Sequence, residues 1–254
     1  MRTFGWMGLA LVALTAGCSE DQVVKPNPLP QATVFKATGD IAAEVDRFRN
    51  ALGPSNGGTP GQQPDGRREI SWDGAAANPF NDRNDFPPDF FNTVATVGAV
   101  YTTDGIGLRN DDMLFGDVNP TYSSEFNFFS PTKVFAPVGS NTLDQLFQVA
   151  GQPTPAVVRG FGIVFSDVDV ADKTTIEPLA RDGSSLGTFS APVRTDATGL
   201  SFVGVLFDDS IIARVRITLG TGALDLTVND ITAGGSVDLV VLDNVIYGEP
   251  KKAF

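Results

Sequence analysis

The chain has 254 residues, with 30 acidic and 18 basic side chains, no histidine and one cysteine, and its formal net charge is −12. The absence of histidine excludes Ser–His–Asp triads, imidazole general bases and histidine-ligated zinc or haem. A negative charge of this size repels phosphate backbones, so we expect no nucleic-acid partner. The chemistry that remains uses carboxylates, hydroxyls, Lys and Arg, or a hard cation such as calcium held by oxygen atoms.

The first 18 residues have the pattern of an export signal. Arg2 precedes an apolar stretch from about residue 4 to residue 14, and small residues lead up to Cys18. This order resembles a bacterial lipoprotein signal, which implies removal of residues 1–17, acylation of Cys18 and membrane attachment through that lipid. An ordinary signal peptide with an incidental Cys18 is the alternative. Because Ser19 rather than Asp follows the cysteine, the resemblance implies an outer-membrane or cell-surface location.

Two segments precede the main domain. Residues 18–39 contain three prolines and almost no apolar periodicity, which predicts an extended tether. In residues 40–66, apolar residues at spacings of four, three and four predict one amphipathic helix packed on or near a sheet, with this buried face: Ile41, Val45, Phe48 and Leu52. The Gly-, Pro- and Asn-rich residues 53–66 that follow predict a flexible loop.

Residues 67–250 have the composition of a β domain, in which short runs of β-branched and aromatic residues alternate with turn-forming residues. Residues 211–219 alternate apolar and polar side chains as a half-buried antiparallel strand does, and Asp182-Gly183 predicts a hairpin turn. No helical pattern after residue 60 is available to carry parallel crossovers. We therefore predict an all-β fold, an antiparallel two-sheet sandwich of jelly-roll type with one short N-terminal amphipathic helix, followed by a tail at 251–254.

Five short stretches of this domain are distinctive: RREISWDG (67–74), RGFGIVFSDVD (159–169), SLGTF (185–189), IARVRI (212–217) and LDNVIYG (242–248). Together they resemble an uncharacterised group of exported bacterial β-sandwich lipoproteins. The last three also look like the jelly-roll domains of secreted PEP-CTERM-type proteins. The resemblance covers roughly residues 40–250 and implies fold and export, but no known activity.

Acidic residues at the end of one predicted strand are the candidate metal ligands. Asp167 and Asp169 share a strand face because they are two residues apart, and Asp172 falls in the turn beyond. Strand-end carboxylates with loop carbonyls supply the six to eight oxygen atoms that calcium takes, and the jelly-roll resemblance favours such an ion. A solvated acidic turn is the alternative. Asp243, inside the last predicted strand, has three alternatives: completing the calcium shell, pairing with an arginine, or bonding to neighbouring backbone.

These observations predict a non-catalytic binding or structural module at the cell envelope, anchored through Cys18 and stabilised by calcium, with a glycan or a surface protein as its partner. The alternative is a carboxylate-based glycoside hydrolase or lyase, which needs two facing carboxyl groups. Glu69, Glu125 and Glu177 are the candidates for that chemistry. For Glu69, a salt bridge to a neighbouring arginine is the competing explanation.

Overall fold

The computed structural model describes residue 1 and residues 29–75, 79–196 and 198–253. Cys18, the rest of the predicted leader after residue 1 and most of the proline-rich tether lie outside these residues. Strands dominate the described part of the chain, and the helices in it are short.

The strands in chain order are β1 (Thr33–Thr38), β2 (Arg67–Ile70), β3 (Ala99–Thr102), β4 (Gly107–Asp111), β5 (Val134–Val138), β6 (Thr142–Phe147), β7 (Ala156–Val157), β8 (Gly160–Ser166), β9 (Thr175–Leu179), β10 (Phe189–Ser190), β11 (Leu200–Leu206), β12 (Arg214–Thr218), β13 (Val241–Gly248) and β14 (Lys251–Lys252). The α-helices are α1 (Ala42–Leu52), α2 (Phe90–Thr93) and α3 (Tyr122–Glu125), and a single 3-10 turn covers Asp73–Ala75.

Two sheets face each other. Sheet A has the order β1-β11-β8-β13-β5-β4, with β2 also paired to β13, and sheet B has the order β10-β9-β12-β6-β3, while β7 and β14 form a separate ribbon. Every pairing between these strands is antiparallel. The chain crosses between sheets from β5 to β6, β8 to β9 and β12 to β13, and the crossing strands pair in matching order, which is the winding of a jelly-roll. The predicted all-β antiparallel sandwich is confirmed.

Alternation of side chains builds the apolar core between the sheets. Ile163 and Phe165 of β8 point into it, as do Val215 and Ile217 of β12, and all four are fully buried. Arg216, between the two β12 residues, is exposed on the opposite face. The alternation predicted from the sequence is therefore observed at the centre of residues 211–219.

Helix α1 covers part of the outer face of sheet A. The four apolar residues predicted for its buried side are each at most 1% exposed: Ile41, Val45, Phe48 and Leu52. The Phe48 ring lies on Gly162 and Gly204, which pair across β8 and β11, and a Cβ atom at Gly162 would lie 2.6 Å from that ring. Glycine at these positions lets the helix approach the sheet.

Three segments predicted to lie outside the sandwich belong to it. In the predicted tether, β1 pairs with β11 along its whole length, and Phe35 is buried. Loop 53–66, predicted to be flexible, is tied down by Arg68, which donates to the carbonyl oxygens of Gly57 and Thr59, both at 2.7 Å. In the predicted tail, β14 pairs with β7. The polar composition of these segments led to the wrong prediction. Edge strands expose alternate side chains and therefore contain many polar residues, and hydrogen bonds to its backbone can hold a polar loop in place.

Candidate metal centre

The end of β8 carries the first candidate ligand into the interior. All seven residues of β8 are buried between β11 and β13, and the chain leaves the strand at Asp167 with φ +70°. Asp tolerates this left-handed conformation better than most residues. The backbone N–H of Asp167 donates to the carbonyl oxygen of Gly199 at 2.8 Å, and the whole residue is 0% exposed. Its carboxyl group is therefore fixed in a position that solvent does not reach.

The structure brings five carboxyl groups together at this point, which we call the acidic cluster: Glu125, Asp167, Asp169, Asp230 and Asp238. One oxygen from each of Glu125, Asp167 and Asp230 lies within 4.8 Å of the other two. The same holds for Asp169, Asp230 and Asp238. Two oxygens bound to one calcium ion lie at most about 5 Å apart, since each Ca–O bond is about 2.3–2.6 Å long. Both groups have the spacing of a calcium shell.

The partners of Asp167 and Asp169 come from distant parts of the chain. Glu125 ends α3, and Asp230 and Asp238 lie in the segment 220–240 that precedes β13. The hydroxyl of Tyr122 holds this segment against α3, at 2.8 and 2.7 Å from two of its carbonyl oxygens. The outer face of sheet A thus carries a second covering layer beside α1.

Backbone groups fix the orientation of two cluster carboxylates. Asp230 accepts from the N–H of Thr232 at 2.8 Å and from the N–H of Leu239 at 2.7 Å. Asp238 accepts from the N–H groups of Asp169 and Val170, at 3.2 and 3.1 Å. These bonds join the segment 220–240 to the end of β8, so the ligand positions are set before any ion binds.

Among the described residues, no arginine forms an ion pair with the acidic cluster. The ion pairs of these arginines all involve other acids. Neither carboxylate oxygen of Asp167 accepts a hydrogen bond, although both are buried, and the partly exposed carboxyl group of Asp169 has only the carboxyl group of Asp230 as its partner. A buried carboxyl group without a hydrogen bond or a counter-charge is costly. The arrangement therefore favours a bound cation.

The pKa values of three carboxyl groups in the cluster are raised. Burial, followed by the negative charges of Asp230 and Asp169, raises the pKa of Asp167 to about 9. Burial and the closeness of Asp230 raise the pKa of Asp169 to about 7. For Asp238, burial raises the pKa to about 6 in spite of the two backbone N–H donors. Without a cation, the cluster resists ionisation; a bound cation would favour the charged forms.

Oxygen-only ligands select hard cations. The acidic cluster offers carboxylates and no nitrogen or sulfur, which favours calcium, magnesium or manganese over zinc or copper. Magnesium demands near-ideal octahedral geometry and retains several waters, whereas calcium accepts irregular shells of six to eight oxygens. A buried group of carboxylates drawn from separate loops fits calcium best.

Of the predicted ligands, Asp167 and Asp169 belong to this cluster, and Asp172 and Asp243 do not. Asp172 is exposed and accepts a hydrogen bond from Ser190 at 2.7 Å. Sequence reasoning missed Asp230 and Asp238 as ligands and assigned Glu125 to a hydrolase instead. One sequence feature could have indicated Asp230 and Asp238: they flank a Gly-rich stretch, ITAGGSV (231–237), one on each side.

Asp243 lies outside the acidic cluster and accepts hydrogen bonds from other parts of the chain. It lies at a register shift in β13, where the strand changes its neighbour from β5 to β2. Its carboxylate accepts from the N–H of Phe129 at 2.6 Å and from the hydroxyl of Ser130 at 3.1 Å, so bonding to neighbouring backbone is the alternative that the structure supports. Burial raises the pKa of Asp243 to about 7, despite these donors. It closes the gap between two strands at a bulge.

The three glutamates considered for glycoside hydrolysis have different settings. Glu69, on β2, forms an ion pair with Arg49 of α1 and accepts from Asn244 at 2.8 Å. The competing explanation of a salt bridge was right, but its partner is not a sequence neighbour. Glu125 belongs to the acidic cluster, and Glu177 lies on β9 of the other sheet, opposite Arg216.

One groove in the surface lies away from the acidic cluster. It has a volume of about 530 Å³ and an apolar floor that includes Val157 and Ile211, and Arg181, Lys251 and Lys252 line its rim. None of the cluster residues lines it. The acidic cluster is thus a buried feature rather than the wall of this groove.

Comparisons with known proteins leave the chain without an assigned family. No family model and no curated protein matches it. Among solved structures, it is similar to the enzymatically active domain of tailspike protein 4 from bacteriophage CBA120, with 10% sequence identity and a TM-score of 0.25. That match covers 66% of this chain and 21% of the tailspike chain. In the part of the chain that the structure describes, no helix is long and apolar enough to cross a membrane.

Proposed function

We propose that this protein is an exported, lipid-anchored β-sandwich module that is stabilised by calcium and has a binding or structural role at the cell envelope. One observation carries the calcium assignment: Asp167 is 0% exposed, and neither of its oxygens has a partner, while other carboxylates surround it. A bound calcium ion supplies the missing positive charge and the missing ligands together.

The burial of the acidic cluster supports a structural role for the ion. A catalytic carboxylate or metal must touch its substrate. Asp167, Asp230 and Asp238 are each 0% exposed, and the donors that hold Asp230 and Asp238 are backbone groups of the fold itself. The ion we propose therefore joins strand β8 to the segment 220–240.

A thermal unfolding experiment tests the calcium assignment. We expect the purified full chain to unfold roughly 5–10 °C higher in calcium at about 100 times its Kd than in a chelator, because such an excess stabilises by about 2.7 kcal/mol. The variant Asp167→Asn should show a clearly smaller difference, whereas Asp172→Asn, a matched control at an exposed site, should keep it in full. A wild-type melting temperature that is unaffected by calcium would overturn the assignment.

The location is tested separately, at residues outside the described part of the chain. Mass spectrometry of the mature N-terminus should show an acylated Cys18 as the first residue, and Cys18→Ser should release the protein from the membrane fraction. An unmodified Cys18 in the mature chain would overturn the anchor and leave the calcium assignment untouched.

The proposed partner is a glycan or a surface protein. A glycan array probed with the calcium-loaded chain tests the first class, and signals that vanish with chelator would support it. An array without signals above background would contradict the proposal of a glycan partner.

A further inference from the structure

The acidic cluster consists of two overlapping groups of ligands. Glu125, Asp167 and Asp230 form one group, and Asp169, Asp230 and Asp238 form the other, so Asp230 is the only residue that the two groups share. Within each group the oxygens lie within 4.8 Å of one another. One calcium ion in either group would leave two carboxylates of the other group outside its shell.

Building on the calcium assignment above, we propose that the cluster binds two calcium ions, with Asp230 bridging them. The first ion joins Glu125 and Asp167, and the second joins Asp169 and Asp238. The site is dinuclear, and its two ions together attach α3, the end of β8 and the segment 220–240 to one another.

Each group contains a carboxyl group that no neutral or basic donor satisfies. Both oxygens of Asp167 are buried without a partner in the first group. In the second group, the partly exposed Asp169 has only another carboxyl group, that of Asp230, as its partner. An ion bound to Asp167 alone would leave Asp169 and Asp230 beside each other without a cation between them, and a second ion supplies that charge.

The balance of charge also favours two calcium ions. Five ionised carboxylates carry five negative charges, and no arginine of the described residues forms an ion pair with any of them. One calcium ion would leave three of these charges uncompensated in a region where four of the five residues are buried, whereas two ions leave one.

The position of Asp230 suits a bridge. Its two carboxylate oxygens are held separately, one by the N–H of Thr232 and the other by the N–H of Leu239. The side chain therefore keeps one orientation between the two groups. The hydroxyl of Thr232 lies between Asp230 and Glu125 and donates its one hydrogen to either of them.

Calcium stoichiometry tests this inference on the full chain. Equilibrium dialysis with elemental analysis should find two tightly bound calcium ions per chain, and native mass spectrometry should show the same mass increment. One ion per chain would overturn the dinuclear site while supporting the calcium assignment. No bound ion would overturn both.

Single substitutions test the bridge. Asp167→Asn should retain one ion and Asp238→Asn should retain one, whereas Asp230→Asn should weaken both sites by more than about tenfold. Asp172→Asn should still bind two. An Asp230→Asn protein that keeps an ion with wild-type affinity would overturn the bridge. If a variant does not fold, a wild-type titration with terbium, which substitutes for calcium, decides between one and two equivalents.

Discussion

Two regions of the molecule bury charged side chains, and they differ in how that charge is compensated. Arg68 and Glu249 form an ion pair at 2.7 Å in which both side chains are almost completely buried, 0% and 1% exposed. Glu249 also accepts from Asn56 and Gln63, and Arg68 donates to loop carbonyls, so nearly every polar atom is satisfied. In the acidic cluster, five carboxyl groups meet without an ion pair to any arginine of the described residues, and both oxygens of Asp167 lack a hydrogen-bond partner.

The difference indicates where each region obtains its counter-charge. The Arg68–Glu249 pair is compensated by the chain itself, and it holds loop 53–66 against the end of the sandwich. The acidic cluster, in the function proposed above, obtains its counter-charge from bound calcium. We therefore expect the first region to be insensitive to calcium and the second to be controlled by it.

Removing the cation of the self-compensated pair should have the largest effect. Arg68→Met leaves Glu249 buried and unpaired and frees the loop carbonyls, so we expect a loss of about 3–5 kcal/mol in the free energy of unfolding. Urea denaturation measures it, and the loss should be the same with calcium and with chelator. A loss that calcium restores would break the distinction between the two regions.

Asp243 offers an intermediate case, a buried carboxyl group satisfied by backbone and hydroxyl donors alone. Its pKa is raised from the ordinary value of 3.8 to about 7, so the folded state holds this proton more tightly than the unfolded state. The stabilisation from this group is complete below about pH 4 and is lost as the pH rises to about 7.

Asp243→Asn should therefore gain stability relative to the wild type as the pH rises from 4 to 8. The expected change in the difference is roughly 2–4 kcal/mol, since one pKa unit corresponds to about 1.4 kcal/mol. Urea denaturation of both proteins at constant calcium measures it, with Asp208→Asn as the exposed control. A difference that does not vary with pH would contradict the raised pKa.

Glu249→Gln tests how far loop carbonyls replace a carboxylate. Arg68 keeps its bonds to the carbonyls of Gly57 and Thr59, and glutamine retains one acceptor, so the loss should be about 1.5–3 kcal/mol, less than for Arg68→Met. Chemical denaturation of the two variants side by side gives the ranking. A reversed ranking would mean that the buried arginine, not the glutamate, is the costly partner to leave alone.

The exposed pair of Arg83 and Asp85 should matter least. Their side chains are 58% and 55% exposed, and solvent screens their attraction. Arg83→Met should leave the urea midpoint of unfolding nearly unchanged, and this variant is the control for Arg68→Met. A comparable loss in both variants would show that burial does not set the energy of these pairs.

The residues of the candidate site show how far prediction from sequence extends. Strand alternation identified Asp167 and Asp169 as neighbours on one face, because that relation depends only on two adjacent positions. The same reasoning placed Asp243 near them, whereas the structure uses Asp243 at a bulge beside β2 and β5. Glu249 was passed over, since its partner Arg68 lies 181 residues earlier in the chain.

Local patterns by themselves determined the all-β class, helix α1 with its buried face, and the hairpin at Asp182-Gly183, because each depends on spacing within a few residues. The tertiary structure alone decided which carboxyl groups meet. Glu125 and Asp230 reach Asp167 only because α3 and the segment 220–240 fold onto sheet A, and the cost of burying them together exists only in that arrangement. Composition had shown an excess of acidic residues, and the fold gathers five of them at the end of β8, where we propose that calcium binds.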